Sequence, residues 1–116
     1  GVKNKSWGNA IDMKVLSEAH TYELANFENK DQQGQILQFI HKERKEEGST
    51  EFVTVSDGTT SEEVLEVLID RLKTLNTKFP CRENALALTN MQQSLFWLNE
   101  RTADRNRRQV EGKAIS

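Results

Sequence analysis

The sequence lacks the residues and segments that mark several classes of protein. It has 116 residues, with one cysteine and one proline. The single Cys81 cannot form an internal disulfide, which fits a reducing compartment such as the cytoplasm. No apolar run approaches the roughly 20 residues of a membrane span, and no signal-peptide pattern opens the chain. We therefore expect a soluble intracellular protein with no membrane partner.

The sequence also lacks an excess of charge and any catalytic pattern. The formal net charge is −2, which disfavours general nucleic-acid binding because such proteins are strongly basic. His20 and His41 are too few and too isolated to predict a metal site. No phosphate-cradling glycine loop, paired carboxylates or triad is present, and we interpret Cys81 as a small buried residue, not a nucleophile. We predict no enzyme activity, no metal and no cofactor.

Length and polarity indicate one small domain, residues 1–116, with a modest core. Hydrophobic residues make up 35% of the chain and charged residues 29%, which is polar for a monomer of this size. Chains this short bury a smaller share of their surface than larger domains. We expect this one to complete its burial by forming oligomers.

Three strand-like runs occupy about residues 20–56. Residues 21–27, 35–41 and 50–56 show alternating polarity or an enrichment in β-forming residues. The connectors at 29–34 and 45–49 carry the charge and glycine of hairpin loops. The pattern predicts a small antiparallel meander, whose exposed edges would be covered by the helices or by another subunit.

Residues from about 60 to 110 predict a helical hairpin. Thr60-Ser61-Glu62-Glu63 offers a capping box, with Thr60 as the N-cap of the first helix. The second helix is expected to begin close to Cys81. Its apolar positions follow a three-four spacing that continues into polar residues: Leu88, Met91, Leu95, Leu98, then Thr102 and Arg105. A short connector makes the two helices antiparallel, so the predicted fold class is α+β.

The end of the second helix carries a row of arginines. Arg101, Arg105 and Arg108 follow one another at spacings of four and three, so they lie along one helix face. Their guanidinium groups repel each other unless an anion lies among them, and arginine suits bidentate phosphate recognition. This favours a phosphate-bearing ligand or an acidic partner. The alternative is a solvated face on which Arg101 and Arg105 pair with nearby carboxylates: Glu100, Asp104 or Glu111.

Asn84 offers a donor and an acceptor near the start of the same helix. It lies 17 residues from Arg101, roughly 25 Å along a helix, so one chain cannot bring both to one small molecule. Two antiparallel copies could, which favours a pocket at a dimer interface. Asn84 could instead bond its own backbone, and Arg82 could pair with Glu83.

Several motifs together resemble a known family. They are Asp57-Gly58-Thr59-Thr60, then Phe79-Pro80-Cys81-Arg82-Glu83-Asn84, then Trp97-Leu98-Asn99-Glu100-Arg101-Thr102-Ala103-Asp104-Arg105 and Val110-Glu111-Gly112. Over about residues 57–112 the chain resembles the phage-encoded Thoeris anti-defence proteins of the first-described family. Their helical hairpin is shared with the second anti-CBASS family of cyclic-nucleotide sponges. Gln109 stands where that family has glycine, and we expect this to alter the helix C-terminus.

The resemblance implies a sponge. Such proteins bind cyclic ADP-ribose variants made by bacterial TIR-domain proteins, without cleaving them, in the cytoplasm of an infected or lysogenic host. Some also capture cyclic di- or trinucleotides at separate pockets, and dimers assemble into larger rings, often hexamers. The resemblance assigns ligand contacts to Asn84, Arg101 and Arg105. We add their neighbours Arg82 and Arg108, and a second pocket would draw on Arg71 and Thr102.

Two other functions stay open from the residues. A hydrolase of the same signals would release cleaved product. An oligomeric adaptor or structural phage protein would meet an acidic partner through its arginine face, and its binding would depend steeply on salt.

Overall fold

The structure is a computed structural model that describes the backbone of residues 3–4 and 13–115 and the side chains of residues 13–108. The chain divides into two compact units, Gly1–Thr60 and Ser61–Ser116. The first consists of strands and the second of two helices, which confirms the predicted α+β class. That the two units form a single domain stays a prediction.

The first unit holds two small antiparallel sheets. Its strands are β1 (Lys3–Asn4), β2 (Lys14–Ser17), β3 (Thr21–Leu24), β4 (Gln35–Gln38), β5 (His41–Arg44) and β6 (Phe52–Ser56). One sheet has the order β1-β2-β3-β4, and β5 pairs with β6 in the other. The single three-stranded meander predicted from the sequence is therefore wrong.

The predicted strand 35–41 breaks because residues 58–59 return alongside its end. The N–H of Thr59 donates to the carbonyl of Gln38 at 2.9 Å, and the N–H of Ile40 donates to the carbonyl of Thr59 at 2.9 Å. The backbone approach is close enough that a Cβ at Gly58 would lie 2.5 Å from the Gln38 oxygen. Beyond this point His41 opens a new strand, β5.

The second unit is an antiparallel pair of helices, α1 (Ser61–Lys78) and α2 (Arg82–Ile115). The first helix begins directly after Thr60, as the capping box predicts, and its first turn carries the acidic Glu62 and Glu63, which suit a helix N-terminus. The second runs unbroken through Gln109, past the end expected near residue 110. Glutamine has a higher helix propensity than glycine, although α2 also continues through Gly112.

Burial is shallow throughout the described residues. The apolar positions of α2 that follow the three-four spacing are half-buried, as expected for the face that packs on α1: Leu88, Met91, Leu95 and Leu98. None of the described side chains is fully buried. Neither helix, over the residues described, combines the length and apolarity needed to span a bilayer.

Candidate functional site

One ion pair shows how the two helices of the hairpin are aligned. The Arg101 Nη2 lies 3.5 Å from the Glu62 Oε1, so Arg101 is level with the first turn of α1. The remaining residues of α2, 103–115, extend about 20 Å beyond that level. We call residues 103–115 the overhang. Arg105 and Arg108 lie on it, where no part of α1 runs alongside.

The start of α2 is organised by Cys81. Its N–H donates to the Asn76 Oδ1 at 3.1 Å, and its Sγ accepts the N–H of Asn84 at 3.4 Å. Cys81 is therefore the N-cap of α2, with sulfur in the place usually taken by a hydroxyl or carboxylate oxygen. The prediction of a buried Cys81 is wrong, since the thiol is exposed at the N-terminus of α2.

Asn84 is half-buried and is the first member of a stripe of residues along one face of α2, most of which faces α1. Its backbone N–H is used by Cys81, but its side-chain amide bonds none of the described residues. Successive members of the stripe lie four and three residues apart: Asn84, Leu88, Met91, Leu95, Leu98, Thr102 and Arg105. Asn84 and Arg105 thus lie at opposite ends of one stripe, 21 residues or about 31 Å apart.

The arginines differ in how far their charge is already matched. Arg101 pairs with Glu62, whereas the Asp104 carboxylate lies 2.8 Å from the Arg108 Nη2 and 3.6 Å from the Arg107 Nη2. Arg105 has no ion pair with any described residue. The alternative of a solvated face is therefore met in part: Asp104 does pair with arginines, though with Arg107 and Arg108, and the side chain of Glu111 lies outside the described residues. Arg82, the first residue of α2, is exposed.

Arg71 and Thr102 do not meet within one chain. With Glu62 level with Arg101, Arg71 is level with about residue 92, roughly 15 Å from Thr102 along the hairpin. The Thr102 hydroxyl donates to the Leu98 carbonyl at 3.2 Å. Arg71 lines a shallow depression whose other charged side chains are acidic: Glu63, Glu66 and Asp70. Their joint role in a second pocket stays a prediction.

Phe96 and Trp97 form an exposed aromatic pair on α2. Their rings meet edge to face with centroids 5.2 Å apart, and the residues are 55% and 69% exposed. Exposure of this size excludes a core role for the pair within the described residues and leaves both rings available for an interface. The pair lies close to the midpoint between Asn84 and Arg105.

Sequence reasoning missed Glu62 as a site residue. Only the helix alignment brings it to Arg101, 39 residues away, although a hairpin turn near residue 80 already implies that pairing. It also missed that His20 and His41 stack, with ring centroids 3.8 Å apart. Within the part of the chain that the structure describes, no group of three or more potential metal ligands occurs.

Comparison with models of known protein families identifies the family to which the chain is related. The model of the Acb2/Tad1 hairpin domain matches residues 39–103, more than half of the sequence. The chain belongs to the Acb2/Tad1 hairpin-domain family. The family match begins earlier than the expected residue 57 and so includes β5 and β6. It includes Asn84 and Arg101, whereas Arg105 and Arg108 lie just past its end.

A phage protein supports the same relationship. "Thoeris anti-defense 1" of Bacillus phage SBSphiJ7 is 45% identical over 58 residues, which are 49% of this chain and 41% of that protein. The match therefore spans less than half the length of this curated relative. Together with membership of the Acb2/Tad1 family, it confirms the resemblance to phage Thoeris anti-defence proteins.

Proposed function

We propose that the chain is a phage anti-defence sponge. It binds and sequesters the cyclic ADP-ribose signals that TIR-domain proteins make in Thoeris immunity, without cleaving them, in the cytoplasm of the infected or lysogenic host. The observation that carries the proposal is Arg105, a guanidinium that no carboxylate of the described residues neutralises. The name of the Bacillus phage relative supports the choice of pathway.

The chemistry of the ligand fits these side chains. A cyclic ADP-ribose isomer carries a pyrophosphate, ribose hydroxyls and an adenine. Arg105 grips the pyrophosphate with two parallel N–H donors, and Arg101 adds a second cation one turn away. Asn84 can both donate to and accept from a base or ribose. Arg82 and Arg108 lie close to these residues along the helix and add positive potential.

A second copy completes the pocket. Asn84 and Arg105 are about 31 Å apart in one helix, far more than one nucleotide spans. If two copies of α2 run antiparallel with their Leu95 residues at the same level, Asn84 of one copy comes level with Arg105 of the other. Phe96 and Trp97 lie on the opposite face of α2 from this stripe and offer a separate exposed surface for association, to which large aromatic side chains contribute most. Assembly of such dimers into hexamers, and separate pockets for cyclic di- or trinucleotides, complete the proposal.

The test is to recover the ligand intact. The purified protein is mixed with a cyclic ADP-ribose isomer, filtered and then heat-denatured, and the released material is identified by mass spectrometry. Intact ligand that is retained by the protein and released only on denaturation is the expected result.

Three other results would overturn the proposal. Cleaved product would make the protein a hydrolase. Retention of a cyclic di- or trinucleotide alone would move the function to CBASS signals. Retention of neither, with steeply salt-dependent binding to DNA or an acidic protein, would favour the adaptor.

A further inference from the structure

The strand β6 has an unusually open position in the first unit. All five of its residues are exposed, including Phe52 at 58%, Val53 at 44% and Val55 at 51%. Its one partner among the described residues is β5, and the strand from Phe52 to Ser56 carries no charge. Natural edge strands are normally protected by charged residues, proline or a covering segment. Here Glu51 and Asp57 flank the strand, but nothing charged lies within it.

The hydrogen-bond pattern shows which backbone groups of β6 face outward. The N–H of Lys45 donates to the carbonyl of Glu51 at 2.9 Å, so the backbone of Glu51 faces β5. Val53 lies two residues further along the same register, opposite Glu43, and faces β5 as well, because facing alternates along an antiparallel strand. Phe52 and Thr54 therefore present their N–H and C=O groups to the open edge, where no described residue bonds them.

We propose that β6 pairs antiparallel with β6 of a second copy about a two-fold axis at Val53. The two hairpins then form one four-stranded sheet with the order β5-β6-β6-β5. Isolated two-stranded hairpins are at best marginally stable in water, and three or more strands are needed for independent stability. This interface is distinct from the helical one and does not depend on which ligand, if any, the protein binds.

Backbone hydrogen bonding and charge both favour a second copy of the chain as the partner of β6, and both favour the register centred on Val53. A two-fold axis at Val53 sets Phe52 opposite Thr54 of the other copy, so both outward-facing residues of each strand are hydrogen-bonded. Glu51 then lies opposite Val55. A two-fold axis at Thr54 would instead set Glu51 opposite Asp57, and like charges directly opposite each other destabilise a sheet. The strand is thus complementary to itself in one register.

Cysteine cross-linking tests the register directly. In a Cys81→Ser background, which removes the native thiol, Val53→Cys places two thiols at the axis in a non-hydrogen-bonded pair, with Cα atoms about 4.5 Å apart. That is within the range that a disulfide spans. Val55→Cys is the matched control, because its two thiols would be offset by four residues, about 13 Å. The proteins are incubated at about 100 μM with oxidised glutathione, without ligand, and read on non-reducing gels.

We expect Val53→Cys to form a covalent dimer at least tenfold faster than Val55→Cys. Thr54→Pro added to Val53→Cys should slow cross-linking at least tenfold, since it deletes an outward-facing N–H and leaves the bonds to β5 in place. An unchanged melting temperature would show that this variant still folds. Equal rates at the two cysteines, a Val53→Cys protein that stays reduced, or no effect of Thr54→Pro would overturn the proposal.

Discussion

Replacing Arg105 by alanine tests the proposed phosphate clamp most directly. The side chain is exposed on the overhang and makes no ion pair with a described residue. Its removal therefore breaks no salt bridge with the described residues and leaves none of their carboxylates without a partner. Any loss of affinity would therefore come from lost contacts with the ligand. The melting temperature should stay close to that of the parent protein.

The size of the effect follows from the contacts that Arg105 would make. A hydrogen bond to a charged group contributes about 1.5–3 kcal/mol, which corresponds to roughly a 10- to 150-fold rise in Kd. Arg101→Ala should cost less affinity. Its guanidinium is already held by Glu62 at 3.5 Å, and giving up an exposed ion pair offsets up to about 1 kcal/mol of the gain on binding.

Isothermal titration calorimetry with a cyclic ADP-ribose isomer gives the measurement. Arg107→Ala is the matched control. It removes the same charge two residues from Arg105, but the arginine that is lost already pairs with Asp104. We expect less than about a twofold change for it, as for other exposed ion pairs. Unchanged affinity in Arg105→Ala would refute the clamp. An equal loss in both variants would show that only general electrostatic attraction is at work.

Three further predictions follow from named contacts. Glu62→Gln removes a carboxylate that competes with an anionic ligand for Arg101, so calorimetry should show affinity rising several-fold, and a fall would contradict this. Cys81→Ala should lower stability by up to about 1 kcal/mol and Cys81→Ser should not, because serine is a strong N-cap; equal melting temperatures would contradict the cap. Trp97→Ala should raise the dimer dissociation constant at least tenfold by light scattering, and a monomeric parent protein at micromolar concentration would contradict the dimer itself.

The helical unit could be predicted because its signals are local. Thr60 and Glu63 mark the start of α1 within four residues, and the alternating three-four spacing from Leu88 to Leu98 identifies the face of α2 that packs on α1. Such patterns depend only on neighbours in sequence. Each apolar residue of this face was predicted individually, and in the structure each of them is half-buried.

The strands were harder to predict because long-range pairing creates them. The β5 sequence, His41-Lys42-Glu43-Arg44, has no apolar alternation, and it becomes a strand only because β6 supplies its ladder of partners. Likewise, Lys14–Ser17 is a strand through pairing with β3. The same limit applies to the site. Asn84 and Arg105 could be chosen from spacing and resemblance, whereas Glu62 becomes a site residue only through a contact 39 residues away.

The overhang couples the folding of α2 to binding. Helical segments shorter than about 12–15 residues are marginal on their own in water, so residues 103–115 stay helical mainly because they propagate from the hairpin. The Asp104–Arg108 pair at i,i+4 adds only a few tenths of a kcal/mol. Fraying of these turns would displace Arg105. The free energy needed to re-form the helix on binding therefore lowers the affinity of the isolated chain for the ligand. A neighbouring subunit that packs along the overhang would raise affinity without touching the ligand.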